Sequence, residues 1–147
     1  MRRQKVKAAV FIGAVAALAA ALGPAAAEGQ PGGSDTVVVD CSGRPQVRPS
    51  SYLIACGDGN NGLVSLHWTQ WGPASAAARG LDRVNDCVPY CAAGRFHSYP
   101  VTVRLDTVRP RPGQQGRPHY TVLHVHYMAD TPAQTPRDAE YPILEGR

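Results

Sequence analysis

Hydrophobic residues in this chain return at every second position, the period of a strand with one dry face and one wet face. The clearest case is Val101, Val103 and Leu105 alternating with Thr102, Arg104 and Asp106. Tyr120 to Met128 repeats the pattern, with Leu123, Val125 and Tyr127 on one face and Val122, His124 and His126 on the other. From Leu63 to Trp68, the apolar side is Val64, Leu66 and Trp68, against Ser65 and His67. Two shorter apolar runs precede these, Thr36-Val37-Val38-Val39 and Tyr52 to Cys56. The second closes on Gly57-Asp58-Gly59-Asn60-Asn61-Gly62, a hairpin-turn signal. Arg109-Pro110-Arg111-Pro112-Gly113 separates the last two strands. Ala74 to Arg79 follows Pro73 and has helical propensity, but it is short and stops at Gly80. It reads as irregular or a weak strand, with a single helical turn as the alternative. The pattern predicts an all-β fold, a small antiparallel β-sandwich or partly closed barrel of about five to six strands.

The flanks differ from this body. Arg2, Arg3, Lys5 and Lys7 precede an apolar run from Ala8 to Leu22, and Ala25-Ala26-Ala27 offers an A-x-A-like cleavage site. That is the layout of a secretory signal peptide over residues 1–27. The run is about fifteen residues long, short of the roughly twenty that span a bilayer, so no membrane span is expected after signal removal. No cysteine stands near the cleavage site to take a lipid, and Arg2-Arg3 alone is not a twin-arginine motif; the general secretion route fits better. Residues 28–35 carry Gly29, Pro31, Gly32 and Gly33, the composition of a flexible leader. The folded β domain is placed at 36–128. Residues 129–147 hold Pro132, Pro136 and Pro142 without an evident period and are expected to be a disordered tail.

Cleavage changes the charge. The chain as a whole carries a formal +4, and the four basic residues of the signal account for all of it. From Glu28 onward, 11 arginines face 11 acidic residues and there is no lysine. A nucleic-acid partner therefore loses the net basic surface such binding rests on. Arg109, Arg111 and Arg117 lie in a Pro/Gly stretch that reads as a solvated loop.

Export also decides how Cys41, Cys56, Cys87 and Cys91 are read. An even count in an oxidising compartment points to two disulfides. The pairs Cys41–Cys56 and Cys87–Cys91 close short loops and are slightly favoured, while pairings of Cys56 with Cys87 or Cys91 stay open. Cys87 and Cys91 lack the C-x-x-C spacing, and Cys41 and Cys56 are too far apart to make a second zinc knuckle.

The remaining candidate chemistry is sparse. His124 and His126 share one strand face, a spacing that can hold one metal ion, with His67, His97 or His119 as conceivable third ligands. Trp68, Trp71 and Tyr90, with Phe96 and Tyr99, are candidates for an aromatic sugar platform. Trp68 and Trp71 are three apart, however, which puts them on opposite sides of a regular strand. Asp58, Asn60 and Asn61 offer oxygens for calcium but lack the acidic density of a calcium loop. Asp82 and Asp86 read as a solvated turn rather than a catalytic carboxylate pair. There is no G-x-S-x-G elbow and no cofactor motif, so no catalytic residue is assigned.

Cys56-Gly57-Asp58-Gly59-Asn60, Leu66 to Gly72, Asn85 to Gly94 and Tyr99-Pro100-Val101 together resemble a group of small secreted actinobacterial proteins. The resemblance spans about 52–128. It implies export, a β-rich fold and a more extended Ala74–Arg79, and it carries over no catalytic or binding residue. Cys87-Val88-Pro89-Tyr90-Cys91 is also reminiscent of secreted subtilisin inhibitors, although the cysteine those proteins carry near the C-terminus is missing here. The sequence thus leads to a non-catalytic extracellular domain that binds a partner or ligand. The alternatives are a protease inhibitor acting through residues 87–99 and a metal-binding protein using His124 and His126.

Overall fold

The computed structural model describes residues 36–110 and 117–143. The signal segment 1–27 and the leader 28–35 lie outside the described residues. In chain order the strands are β1 (Val38–Val39), β2 (Pro45–Gln46), β3 (Tyr52–Leu53), β4 (Asn61–Trp71), β5 (Ala76–Asn85), β6 (Phe96–Pro110), β7 (Pro118–Tyr127) and β8 (Asp138–Pro142). No helix occurs among the described residues, and hence none long and apolar enough to cross a membrane. Strands β3 to β8 pair in sequence order as one antiparallel meander, curled into a half-barrel, and β1 and β2 form a separate hairpin. Of the two expected forms, the partly closed barrel is the one adopted.

The inner face follows from the strand period where the strands are regular. Val101, Val103 and Leu105 of β6 and Leu123, Val125 and Tyr127 of β7 are all buried. In β4 the period is broken. The register shifts between Val64 and His67 and again between Trp68 and Gln70, and Ser65 has a positive φ of 53°. Each bulge inserts a residue and resets which side chains point inward. Leu63 therefore replaces Val64 on the buried face, and Trp68 and Trp71 turn to the same side. The indoles meet edge to face with centroids 4.6 Å apart, contrary to the opposite-side expectation for a regular strand.

Ala74–Arg79 contributes to the long strand β5, which runs through Gly80 rather than stopping there. Ala76 and Ala78 are buried, and their small side chains leave room for the large aromatics of the core. At Gly80 the neighbouring bulge comes so close that a Cβ would stand 2.9 Å from the Val64 carbonyl oxygen and 3.2 Å from that of Ser65. Glycine is required there for close backbone approach, not as a terminator.

The N-terminal stretch is fastened by aromatic donors. Trp71 Nε1 donates to the Thr36 carbonyl at 2.8 Å, Trp68 Nε1 to Pro49 O at 2.8 Å, and the Tyr52 hydroxyl to Val39 O at 3.0 Å. Trp71 is buried and Trp68 and Tyr52 are half-buried, each with its polar atom satisfied. Cys41–Cys56 joins this stretch to the β3–β4 hairpin. By the loop-closure argument, each bridge contributes a few kcal/mol.

The domain does not end at residue 128. Strand β8 pairs with β7 along its length, from Val122 opposite Pro142 to His126 opposite Asp138. Ala139 and Ile143 are buried and Tyr141 packs against the core, while Asp138, Glu140 and Pro142 face solvent. The reason is edge coverage: β7 would otherwise leave an unpaired row of backbone groups over buried side chains. Residues 138–142 of the segment expected to be a loose tail are structural.

Candidate functional site

Two surfaces bring polar and chemically distinctive residues together. One is the tip of the β5–β6 hairpin. Cys87 and Cys91 are disulfide-bonded, closing a five-residue ring of Cys87-Val88-Pro89-Tyr90-Cys91. Both disulfides are therefore those of the short-loop pairing.

Two side chains at the end of β5 hold this ring. Asn85, nearly buried, donates through Nδ2 to Asn60 Oδ1 at 3.0 Å and to Cys91 O at 2.8 Å. Its Oδ1 accepts the Cys87 N–H at 3.0 Å. Asp86 Oδ1 accepts the backbone N–H of Arg95 at 2.9 Å and of Val88 at 3.1 Å, and its Oδ2 lies 2.9 Å from His97 Nε2. These bonds, led by that from Arg95 and followed by His97, hold the Asp86 carboxyl down at about 2. A Cβ on Gly94 would overlap Asn85 Oδ1 and stand 2.8 Å from the Cys87 nitrogen, so only glycine lets the return strand pass.

The scaffold presents apolar side chains to solvent. Val88 is 67% exposed, Tyr90 64% and Phe96 45%, far above what a packed residue shows. The Arg83 guanidinium lies 4.5 Å over the Phe96 ring, a cation–π contact that fixes one side of the patch. Phe96 and Arg83 also line an open groove of about 260 Å³ with Leu53 and Val64.

The second surface is the outer face of the sheet. Cross-strand pairing places Ala77, Arg104, His124 and Glu140 in one row and Arg79, Thr102, His126 and Asp138 in the next. These residues line an open groove of about 490 Å³. His124 Nε2 lies 3.1 Å from Asp106 Oδ1, and Asp106 also pairs with Arg104. His124 Nδ1 lies 3.6 Å from Glu140 Oε2, and His126 Nδ1 lies 2.6 Å from Asp138 Oδ1. Partial burial pushes the Asp106 carboxyl up, but the hydrogen bonds from His124 and Thr107, with the nearby Arg104 charge, outweigh it and hold the group below its ordinary value.

The other conceivable histidine ligands lie elsewhere. His67 is in the row of His126 but three strands away, roughly 14 Å at normal strand spacing. His97 sits on Asp86 at the tip, and His119 is buried beside Val37. Among the described residues, no three His, Cys, Asp or Glu side chains already converge in metal-holding geometry. The aromatic candidates divide as well. Trp71 is buried, Trp68 and Tyr99 pack against the core, and Tyr90 and Phe96 are at the tip. Two oxygens of the 57–62 turn are spent locally, Asp58 Oδ1 on the Asn60 N–H at 3.0 Å and Asn60 Oδ1 on Asn85, while Asn61 turns inward and donates to the buried Asp82.

Asp82 is not in a solvated turn. It is fully buried on the inner face of β5, where it accepts hydrogen bonds from the Tyr127 hydroxyl and Asn61 Nδ2. Burial pushes its carboxyl above the ordinary range despite those bonds. The tail residues Asp138 and Glu140 were not candidates from the sequence either, although Asp138-Ala139-Glu140-Tyr141-Pro142-Ile143 does alternate with period two.

These features define a small, disulfide-closed, all-β domain with a braced apolar tip and a charged outer sheet face. The chain matches no protein-family profile, no curated protein and no solved structure.

Proposed function

We propose that this protein is an exported, non-catalytic binding domain that inserts the Cys87–Cys91 tip into a concave, partly apolar site on a partner protein. Membership of the group of small secreted actinobacterial proteins belongs to the same reading. The observation that carries it is a pairing of rigidity and exposure: Val88 and Tyr90 face solvent from a ring held by a disulfide and by Asn85 and Asp86. A pre-ordered loop keeps most of its side-chain and backbone entropy cost out of the binding step. Exposed aromatic anchors on such a loop are the residue types that dominate interface energies. Two intramolecular disulfides suit an extracellular setting.

The test uses the mature protein as bait against the envelope and medium fractions of its own cells. A partner retained by the native protein, and lost by at least tenfold with Tyr90→Ala or Val88→Ala but not with His126→Ala, is expected. Equal retention by all variants removes the tip from the reading. Turnover of an ester, glycan or peptide that a single substitution abolishes would overturn the non-catalytic assignment.

A second reading, protease inhibition through residues 87–99, is favoured by the same braced ring, since a disulfide-fixed loop resists the distortion that cleavage requires. Titration against subtilisin- and trypsin-like proteases decides it. Absence of inhibition at large molar excess eliminates this reading.

A further inference from the structure

The outer face of β7 and β8 carries chemistry that the tip does not use. The strand period puts His124 and His126 on one face, and β8 sets Glu140 opposite His124 and Asp138 opposite His126. His124 Nε2, 3.1 Å from Asp106 Oδ1, is the ring nitrogen placed to donate a proton to that carboxylate. Its Nδ1 then keeps a lone pair, and that lone pair faces Glu140 Oε2 at 3.6 Å. This gap is too long for a hydrogen bond. It is close to the roughly 3.4 Å between a nitrogen and an oxygen that each sit about 2.0–2.1 Å from one tetrahedral ion. A carboxylate fixing the far nitrogen of an imidazole is also the usual outer support of a metal-binding histidine. The balance of charge still favours a cation: Asp106 pairs with Arg104, and Asp138 and Glu140 stand against Arg79 alone, which leaves one net negative charge on the groove.

We propose that His124 Nδ1 and the Glu140 carboxylate bind a divalent transition-metal ion of the Zn²⁺ class, with His126 as third protein ligand and Asp106 as the residue that orients His124. In the structure as it stands no three of these side chains converge. His126 reaches the ion by turning away from Asp138, which its half-exposed side chain leaves room to do. Water fills the fourth position, as in three-ligand zinc sites. The inference does not depend on the tip.

The experiment is calorimetric titration of ZnCl₂ into the mature, untagged protein with both disulfides intact, with Co²⁺ absorption as a report on coordination. One ion per chain is expected. His124→Ala and Glu140→Gln should each weaken binding by at least tenfold. Asp106→Asn should weaken it by roughly 10–100-fold, as loss of outer support does, while His97→Ala leaves it unchanged. Glu140 is an exposed edge residue, so Glu140→Gln remains informative should His124→Ala disturb folding. No binding at millimolar metal overturns the proposal. So does binding that survives both His124→Ala and Glu140→Gln, or that His97→Ala abolishes.

Discussion

Replacing Asn85 by alanine tests whether the tip is held by the side chains identified here. Alanine leaves the Cys87 N–H without its acceptor and Asn60 Oδ1 without its donor, and it leaves Cys91 O with only the Gly94 N–H at 3.2 Å. Three bonds at a net 0.5–1.5 kcal/mol each give a loss of roughly 1.5–4.5 kcal/mol. The upper half of that range is the better expectation, because Asn85 is nearly buried and water replaces the lost partners poorly. Urea unfolding with disulfides intact gives the magnitude, and amide hydrogen exchange at Cys87 and Val88 gives the location. Gly94→Ala completes a cycle. Its methyl collides with Asn85 Oδ1 in the native protein, so the glycine substitution should cost at least ~1 kcal/mol less when Asn85 is already alanine. Part of the cost persists, because the Cys87 backbone nitrogen stays 2.8 Å from the new Cβ. A loss below about 0.5 kcal/mol for Asn85→Ala, unchanged exchange at the tip, or strict additivity of the pair would refute the bracing role.

Three further outcomes are expected. The buried Asp82 carboxyl has its pKa raised by burial, so the stability it contributes is complete below the ordinary carboxylate range of about 4 and is lost as pH rises toward the raised value. Urea midpoints across a pH series should show that decline, and Asp82→Asn should flatten it. The acid limb set by Asp40, Asp58, Asp86 and Asp106, all with lowered pKa, should remain in that variant. Deleting residues 129–147 should unfold or aggregate the domain, because it uncovers the edge of β7 and removes Ala139 and Ile143 from the core; a cooperative melt at the native midpoint would show β8 to be dispensable. Gly80→Ala should cost about 1–3 kcal/mol through overpacking against the Val64 and Ser65 carbonyls, read by thermal denaturation, and a neutral result would mean the bulge relaxes freely.

The tip and the outer face differed in how much of them was legible. The stapled ring could be located because cysteine spacing is local and both bridges close short loops. The clamp could not: Asn85 and Asn60 are 25 residues apart, and nothing in either flank announces that their side chains meet. On the outer face the histidine pair followed from strand period, but its carboxylates arrive from both neighbouring strands, Asp106 from β6 and Asp138 and Glu140 from β8. The prolines of the tail obscured β8, although Ala139, Tyr141 and Ile143 alternate correctly. Pro136 lies outside β8, and Pro142 is its last residue, where a missing donor matters least.

By itself the sequence determined the strand period, hence an all-β fold with Val101, Val103, Leu105, Leu123, Val125 and Tyr127 inside. Those properties are local, since alternation fixes which face a residue occupies once the strand is regular. Tertiary structure alone decided where regularity fails and what meets across strands. The bulges of β4 turned Trp68 and Trp71 to one side, Asp82 was buried under Tyr127, and β8 brought Asp138 and Glu140 to the histidines. Each depends on backbone register between segments distant in sequence, which a one-residue slip would reverse.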